Sequence, residues 1–291
     1  LIESLFRTVS GRASQRVFGA ALLALVFLGV ASAAWSTHDG DLVARSMRWL
    51  NGRTGFVQGL ATAAVLVGVT VAGLLVLSAV PFATRLLEGH WPGWLEPLRA
   101  RSIRRVKGRA EGYAARAQRD MAAGHPDRTR WALPSDPAHY QPTRLGNLAR
   151  AARTRPADKY GLDPVAIWPH LFLVMPETTQ KEITAATHAV ERAVMAVLWS
   201  LLLILMVPWV WWIAVLGLAG AVVLTRTAVL GAAQTHAELL EAAIDLHRLE
   251  LYRKLSWPLP ENPAKERELG EQLVSYLRYG SDDPTPAFKT D

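Results

Sequence analysis

Three stretches free of Asp, Glu, Lys and Arg dominate the folding problem of this chain: residues 17–37, 54–84 and 193–225, of 21, 31 and 33 residues. A helix rises about 1.5 Å per residue, so about 20 apolar residues cross the roughly 30 Å hydrocarbon core of a bilayer. The overall hydrophobic share, 51%, is near the average of soluble proteins, so distribution rather than composition carries the argument. The pattern predicts an all-α polytopic membrane protein.

The first span is placed at 17–35, ending on Trp35, a residue suited to the membrane interface. This run is longer than the apolar part of a secretory signal, so a retained helix is expected although Ala31-Ser32-Ala33 imitates a cleavage site. The second span covers 56–80 and is followed by Pro81. Its Gly59, Gly68 and Gly73 either let helix backbones approach closely or reflect the general tolerance of spans for small residues. Residues 189–231 are too long for one ordinary span. Pro208 lies at their centre with Trp209, Trp211 and Trp212 as interface anchors. A hairpin of helices 187–207 and 211–231 is expected; a single long tilted helix is the alternative.

Lys and Arg gather in cytoplasmic segments. The 1–16 tail has three arginines, and residues 85–192 hold 18 Lys/Arg against 11 Asp/Glu. The rule therefore places both termini and the middle segment in the cytoplasm; with 26 Arg to six Lys in an Ala-rich chain, the expected location of the multi-pass chain is a bacterial inner membrane. The expected organisation is a tail (1–16), transmembrane hairpin one (17–81, outer loop 36–55), a basic helical cytoplasmic domain (82–186), hairpin two (187–231), a C-terminal cytoplasmic helical hairpin (232–280) and a disordered tail (281–291). In the outer loop, residues 42–50 fit either a short interfacial helix or a plain polar loop.

Residues 94–122 read as an amphipathic helix, with Leu95, Leu98, Val106, Ala110, Tyr113, Ala117 and Met121 towards one face. Arg99, Arg101, Arg104, Arg105, Lys107 and Arg109 crowd the rest, a candidate cluster facing the anionic lipids of the inner leaflet. Positive-inside retention alone explains the same charges. Few aromatics accompany them, so nucleic acid is not the expected partner. Further on, RLGNLARAAR (144–153) predicts a short helix closed by Pro156, Asp163-Pro164 caps an apolar helix too short to span, and Pro176-Glu177 opens a helix leading into the third span. Arg144, Arg150, Arg153 and Arg155 form a candidate partner surface on the exposed side. In 236–255, Asp245 is expected to pair with Arg248 and Glu250 with Arg253 or Lys254, while Glu238, Glu241 and Asp245 share a solvated charged face. Asn262-Pro263 caps a last helix that Gly280 stops.

The chain has no cysteine, which excludes disulfides, thiolate metal sites and cysteine nucleophiles. Its eight histidines are scattered without coordinating spacing, so no metal and no cofactor is expected. No phosphate-binding glycine loop or nucleophile elbow occurs. The residues best placed for catalysis on a lipid headgroup are Asp158, Tyr160, Asp163 and His170, and each also has a cap, turn or packing explanation.

The runs PTRLGN, YGLD, WP and LVMPE, with DLHRLELYRKLSWPLP after the last span, resemble a family of uncharacterised actinobacterial polytopic membrane proteins. The likeness runs from the second span to about Gly280 and implies a shared cytoplasmic fold, with no activity to carry over. An Arg commonly follows the Trp-Pro pair in that family; here it is His170, which argues against His170 as an essential ligand. The expected function is non-enzymatic: four spans in two hairpins anchor a mainly helical cytoplasmic domain that recruits an unknown partner or organises an assembly. An oligomeric pore built from copies of the chain is the alternative, and a lipid-headgroup-modifying enzyme comes third.

Overall fold

A computed structural model describes residues 24–29, 32, 45, 48, 49, 51–122 (backbone alone over 113–122), 132–207, 211–280, 287 and 288. Of the expected first span, 24–29 and 32 are described and helical; Trp35, Trp209, the N-terminal tail and most of the outer loop lie outside. All regular structure among the described residues is helical. The elements are α1 (Gly55–Glu88), α2 (Glu96–Ala122), α3 (Arg144–Tyr160), α4 (Pro164–Val174), α5 (Glu177–Leu202), α6 (Trp211–Leu224), α7 (Leu230–Lys254) and α8 (Pro263–Tyr279). A π-helical turn, Thr225–Val229, joins α6 to α7 without a break. The chain forms two compact units, residues 1–84 with 189–229 and residues 85–188 with 230–291.

Three described helices are long and apolar enough to cross a membrane, within Gly55–Gly112, Glu177–Met206 and Trp211–Lys254. In the first unit, α1 buries Val69, Gly73, Val76, Val80 and Ala83 at helical spacing, yet leaves Leu60, Val65, Leu66, Val67 and Leu75 exposed. A helix apolar on every side belongs in a hydrocarbon surround. Its hydroxyls are satisfied within the helix: Thr62 donates to the Gln58 carbonyl, Thr70 to Leu66 and Ser78 to Leu75. Pro81 does not end the helix, which runs on to Glu88. A proline in a helix loses one backbone bond, and the uninterrupted turns on both sides carry the helix through.

The single-helix alternative for 189–231 is excluded. Ser200 Oγ donates to the Gly217 carbonyl at 2.9 Å. In one straight helix these residues would stand about 25 Å apart. The chain therefore reverses, tightened by the 3-10 turn Leu203–Met206, and Ile213 packs on Leu203 and Met206. A Cβ on Gly217 would come within 2.6 Å of the Ser200 carbonyl, so glycine permits this approach.

The second unit is built from α3, α4, α7 and α8, which pack on one another. Its core holds Leu162, Ile167, Leu171, Met175, Ile183, Ile244, Leu251, Tyr252, Trp257 and Leu273. Each large apolar side chain removed from water contributes about 1.5–3 kcal/mol. Thr143, Asp163 and Asn262 cap α3, α4 and α8 by accepting from the amides of Gly146, Val165 and Lys265. Helix α3 departs from expectation: it passes through Pro156 and ends at Gly161, because the buried proline ring packs in place of the lost bond. The expected disordered tail is not wholly loose. Phe288 meets the Trp257 and Tyr276 rings at centroid distances of 6.0 and 5.9 Å.

Candidate functional site

The PTRLGN run is a backbone clamp. Asn147, 2% exposed, uses both ends of its amide: Nδ2 donates to the Gln141 and Thr143 carbonyls, and Oδ1 accepts from the Gln141 amide, each at 2.8 Å. Gly146 lies against the Glu88 carbonyl, and Pro142 against Gly89, whose φ is +95°. Beta-carbons at either glycine would collide with these neighbours. The clamp therefore ties the start of α3 to the end of α1.

The YGLD run makes a second close approach. Gly161 (φ +67°) ends α3 against the Arg267 carbonyl, and Gly270 of α8 lies against the Tyr160 carbonyl. Leu162 is fully buried, and Asp163 combines its cap with an ion pair to Arg278. In the same way Met175 of LVMPE and Trp257 of WPLP are core residues.

Between α3, α7 and α8 lies a polar array. Glu241, 8% exposed, accepts from Arg155 at 3.0 Å and Lys159 at 2.5 Å; Lys159 also lies 3.7 Å from Asp245. Arg248 pairs with buried Glu266 at 2.6 Å, donates to the Asp245 carbonyl, and stacks its guanidinium 4.4 Å from the centre of the Tyr160 ring. Burial works to raise the Glu241 carboxyl, but the hydrogen bonds and charges of Lys159 and Arg155 outweigh it and hold the group below the ordinary range. Burial likewise works to lower Lys159, and Glu241 with Asp245 raise it above its usual value. The Tyr160 hydroxyl is raised by burial and then by its hydrogen bond to Asp245. Three cations meet three carboxylates, so the array is neutral, although Asp245 Oδ1 is buried without a hydrogen bond among the described residues. Its chemical capacity is to lock helices together.

This corrects three expectations. Glu241 is a buried partner of α3 rather than part of a solvated face. The Asp245 carboxylate faces Lys159, not Arg248, and Glu250 lies 3.1 Å from His247. Arg155 is turned inward, so the expected exposed row keeps Arg144 and Arg153, with Arg153 3.7 Å from Glu88, while Arg150 is half-buried. For Glu241, Asp245 and Arg155 a partner from another helix wins over the neighbour one turn away, whereas Glu250 keeps a neighbour on its own helix. Glu266 and Gly270 were not singled out in the sequence; the Pro263 start of α8 places them on the inward face.

On α2, Arg101, Arg104, Arg105, Lys107 and Arg109 are exposed, and Arg99 is half-buried beside Glu96 at 3.2 Å. Ile103, Val106 and Ala110 make the half-buried side, whereas Leu98, 54% exposed, falls among the arginines. The side chains of Tyr113, Ala117 and Met121 lie outside the described residues. Trp211 and Trp212 are exposed at the start of α6. Asp158 is exposed and His170 half-buried. No group of three His, Cys, Asp or Glu able to hold a metal occurs among the described residues. No protein-family model, curated protein or solved structure matches the chain.

Proposed function

We propose that this chain is a non-enzymatic inner-membrane protein of the actinobacterial polytopic group it resembles, whose spans anchor a helical cytoplasmic domain for recruiting a partner or organising an assembly. The observation that supports this reading is the division of labour along its helices. α1, α5 and the α6–α7 run each contribute an apolar segment to the first unit and a polar segment to the second. The second unit has its own core and charge array. Of the residues the sequence puts forward for catalysis, Asp163 is engaged in a cap and Tyr160 in stacking, while Asp158 is exposed and His170 half-buried; Asn147 and Glu241 are held in a clamp and in ion pairs. With a first span at 17–35 the crossings number four, and both termini with the second unit face the cytoplasm.

The absence of cysteine makes the topology directly testable. Single cysteines at positions 150 and 209, probed with an impermeant thiol reagent in intact cells and inverted vesicles, are expected to label from opposite sides. Labelling from one side, or a chain monodisperse without detergent, overturns the reading. Affinity capture from native membranes should then retain a defined cytosolic partner; a ring-shaped oligomer conducting ions in liposomes replaces it with the pore.

A further inference from the structure

The basic helix α2 is set apart from the rest of its unit. It spans 27 residues, about 40 Å, and among the described residues its main packing partner is the adjoining 3-10 turn Gly93–Leu95. Over 96–112 it carries six cations against two carboxylates. Arg99 is the one of these cations with a carboxylate partner among the described residues; Arg101, Arg104, Arg105, Lys107 and Arg109 have none.

The exposed side is not purely charged. Leu98, Arg101, Arg105 and Arg109 stand at i, i+3, i+7 and i+11, one stripe of a helix. At its head, one turn before Leu98, Trp94 is 77% exposed. A tryptophan and a leucine held in water at the end of an arginine ladder fit a surface that is apolar just beneath a layer of anions. Tryptophan favours that depth, and the guanidinium fork binds phosphate oxygens in pairs. Only twelve residues lie between Pro81, which follows the second span, and Trp94, a separation that favours a position of this stripe near the bilayer surface.

We infer that the Trp94–Leu98–Arg101–Arg105–Arg109 stripe of α2 docks on the anionic phospholipid surface of the membrane, with Trp94 and Leu98 inserted at headgroup depth and the arginines on phosphates. The inference rests on the membrane-anchor reading above. It makes this helix a sensor of lipid charge: docked on anionic bilayers, released on neutral ones or when salt screens the phosphates.

The test uses the full chain in nanodiscs of phosphatidylcholine alone or of equal parts phosphatidylcholine and phosphatidylglycerol. Spin labels on Leu98→Cys, Ile103→Cys and Val71→Cys report collisions with a water-soluble and a lipid-soluble relaxant. On the anionic discs the label at 98 should lose access to the aqueous relaxant and the label at 103 should keep it. The change should vanish in the R101Q/R105Q/R109Q background, where lipid partition falls by about a hundredfold. Equal water access at 98 on both discs overturns the docking. Protection at 98 that ignores lipid charge, with dipolar broadening between labels, overturns it in favour of a second copy of the chain. The label at 71 separates the two levels: if it lies in water, the membrane reading itself fails, and if it lies in hydrocarbon while 98 stays wet, only the docking fails.

Discussion

Replacing Glu241 by Gln tests whether the array between α3 and α7 locks those helices. The substitution keeps the shape and removes the charge. It removes the Glu241 charge from two cations, of which Lys159 keeps Asp245 at 3.7 Å, and the structure separates their costs. The Arg155 side chain is 12% exposed, so its charge stays in a largely dry site. Breaking a buried pair by removing one partner costs about 3–5 kcal/mol. Lys159 is 42% exposed, can turn to water, and contributes less than about 1 kcal/mol. E241Q should therefore lower the opening free energy of α3 by about 3 kcal/mol, K159A by under 1, and the apolar pair R155M/E241L by little, because no charge is stranded. Amide hydrogen exchange over residues 144–160 of the full chain in nanodiscs reads this locally, with about 3 kcal/mol appearing as roughly a hundredfold faster exchange. Equal effects of E241Q and K159A, or a double variant as damaging as E241Q, would refute the reasoning. The pair also carries a pH sign. Glu241 is held below its ordinary 4.5, so its contribution is complete above that value and is lost as pH falls through the lower folded value. Thermal melting should therefore show an acid-side loss that is smaller in E241Q.

Two further substitutions probe the backbone contacts. Gly270→Ala puts a methyl into the Tyr160 carbonyl; the forced separation of α3 and α8 should cost at least about 1–3 kcal/mol, seen as a lowered melting temperature, while Ala substituted at exposed Ser275 should change little. Asn147→Leu should cost about 2–3 kcal/mol, since it strands the Gln141 amide and two carbonyls, and proteolysis at 132–143 should accelerate.

What the sequence revealed depended on how local the cause was. The caps at Asp163 and Asn262 and the stop at Gly280 are visible as short patterns because the partner lies within a few residues. The reversal between α5 and α6 was legible from Pro208 and the tryptophans, although its closing contact, Ser200 to Gly217, was not. Charge pairing was misread for the opposite reason. One turn of helix always offers a neighbour, yet Glu241 lies 82 residues from Lys159 in sequence and in direct contact with it in space. Leu98 was assigned to the apolar face of α2 because it is apolar; its 100° steps put it with Arg101 and Arg105, and burial follows angle rather than residue type. Pro156 was read as a stop, but a proline whose ring packs in a core loses less than one in water.

The arginines tie these observations together. The chain has 32 Lys and Arg against 25 Asp and Glu, a formal charge of +7. In the second unit's core the guanidinium is used for its fork and its flat face: Arg155 on Glu241, Arg248 on Glu266 and on the Tyr160 ring. Those uses are neutral in sum, so they add nothing to the field outside the unit. Among the described residues the exposed ladder Arg101, Arg105 and Arg109 has no such partners, and residues 96–112 carry six cations against two carboxylates. The two groups should respond to different perturbations. Salt screens the ladder within about 8–10 Å of open solvent and barely reaches the dry pairs, whereas neutralising Glu241 loosens α3 and leaves the ladder's field intact. A rise in ionic strength that melts the second unit without first changing the environment of α2 would mean that this assignment of arginine roles is inverted.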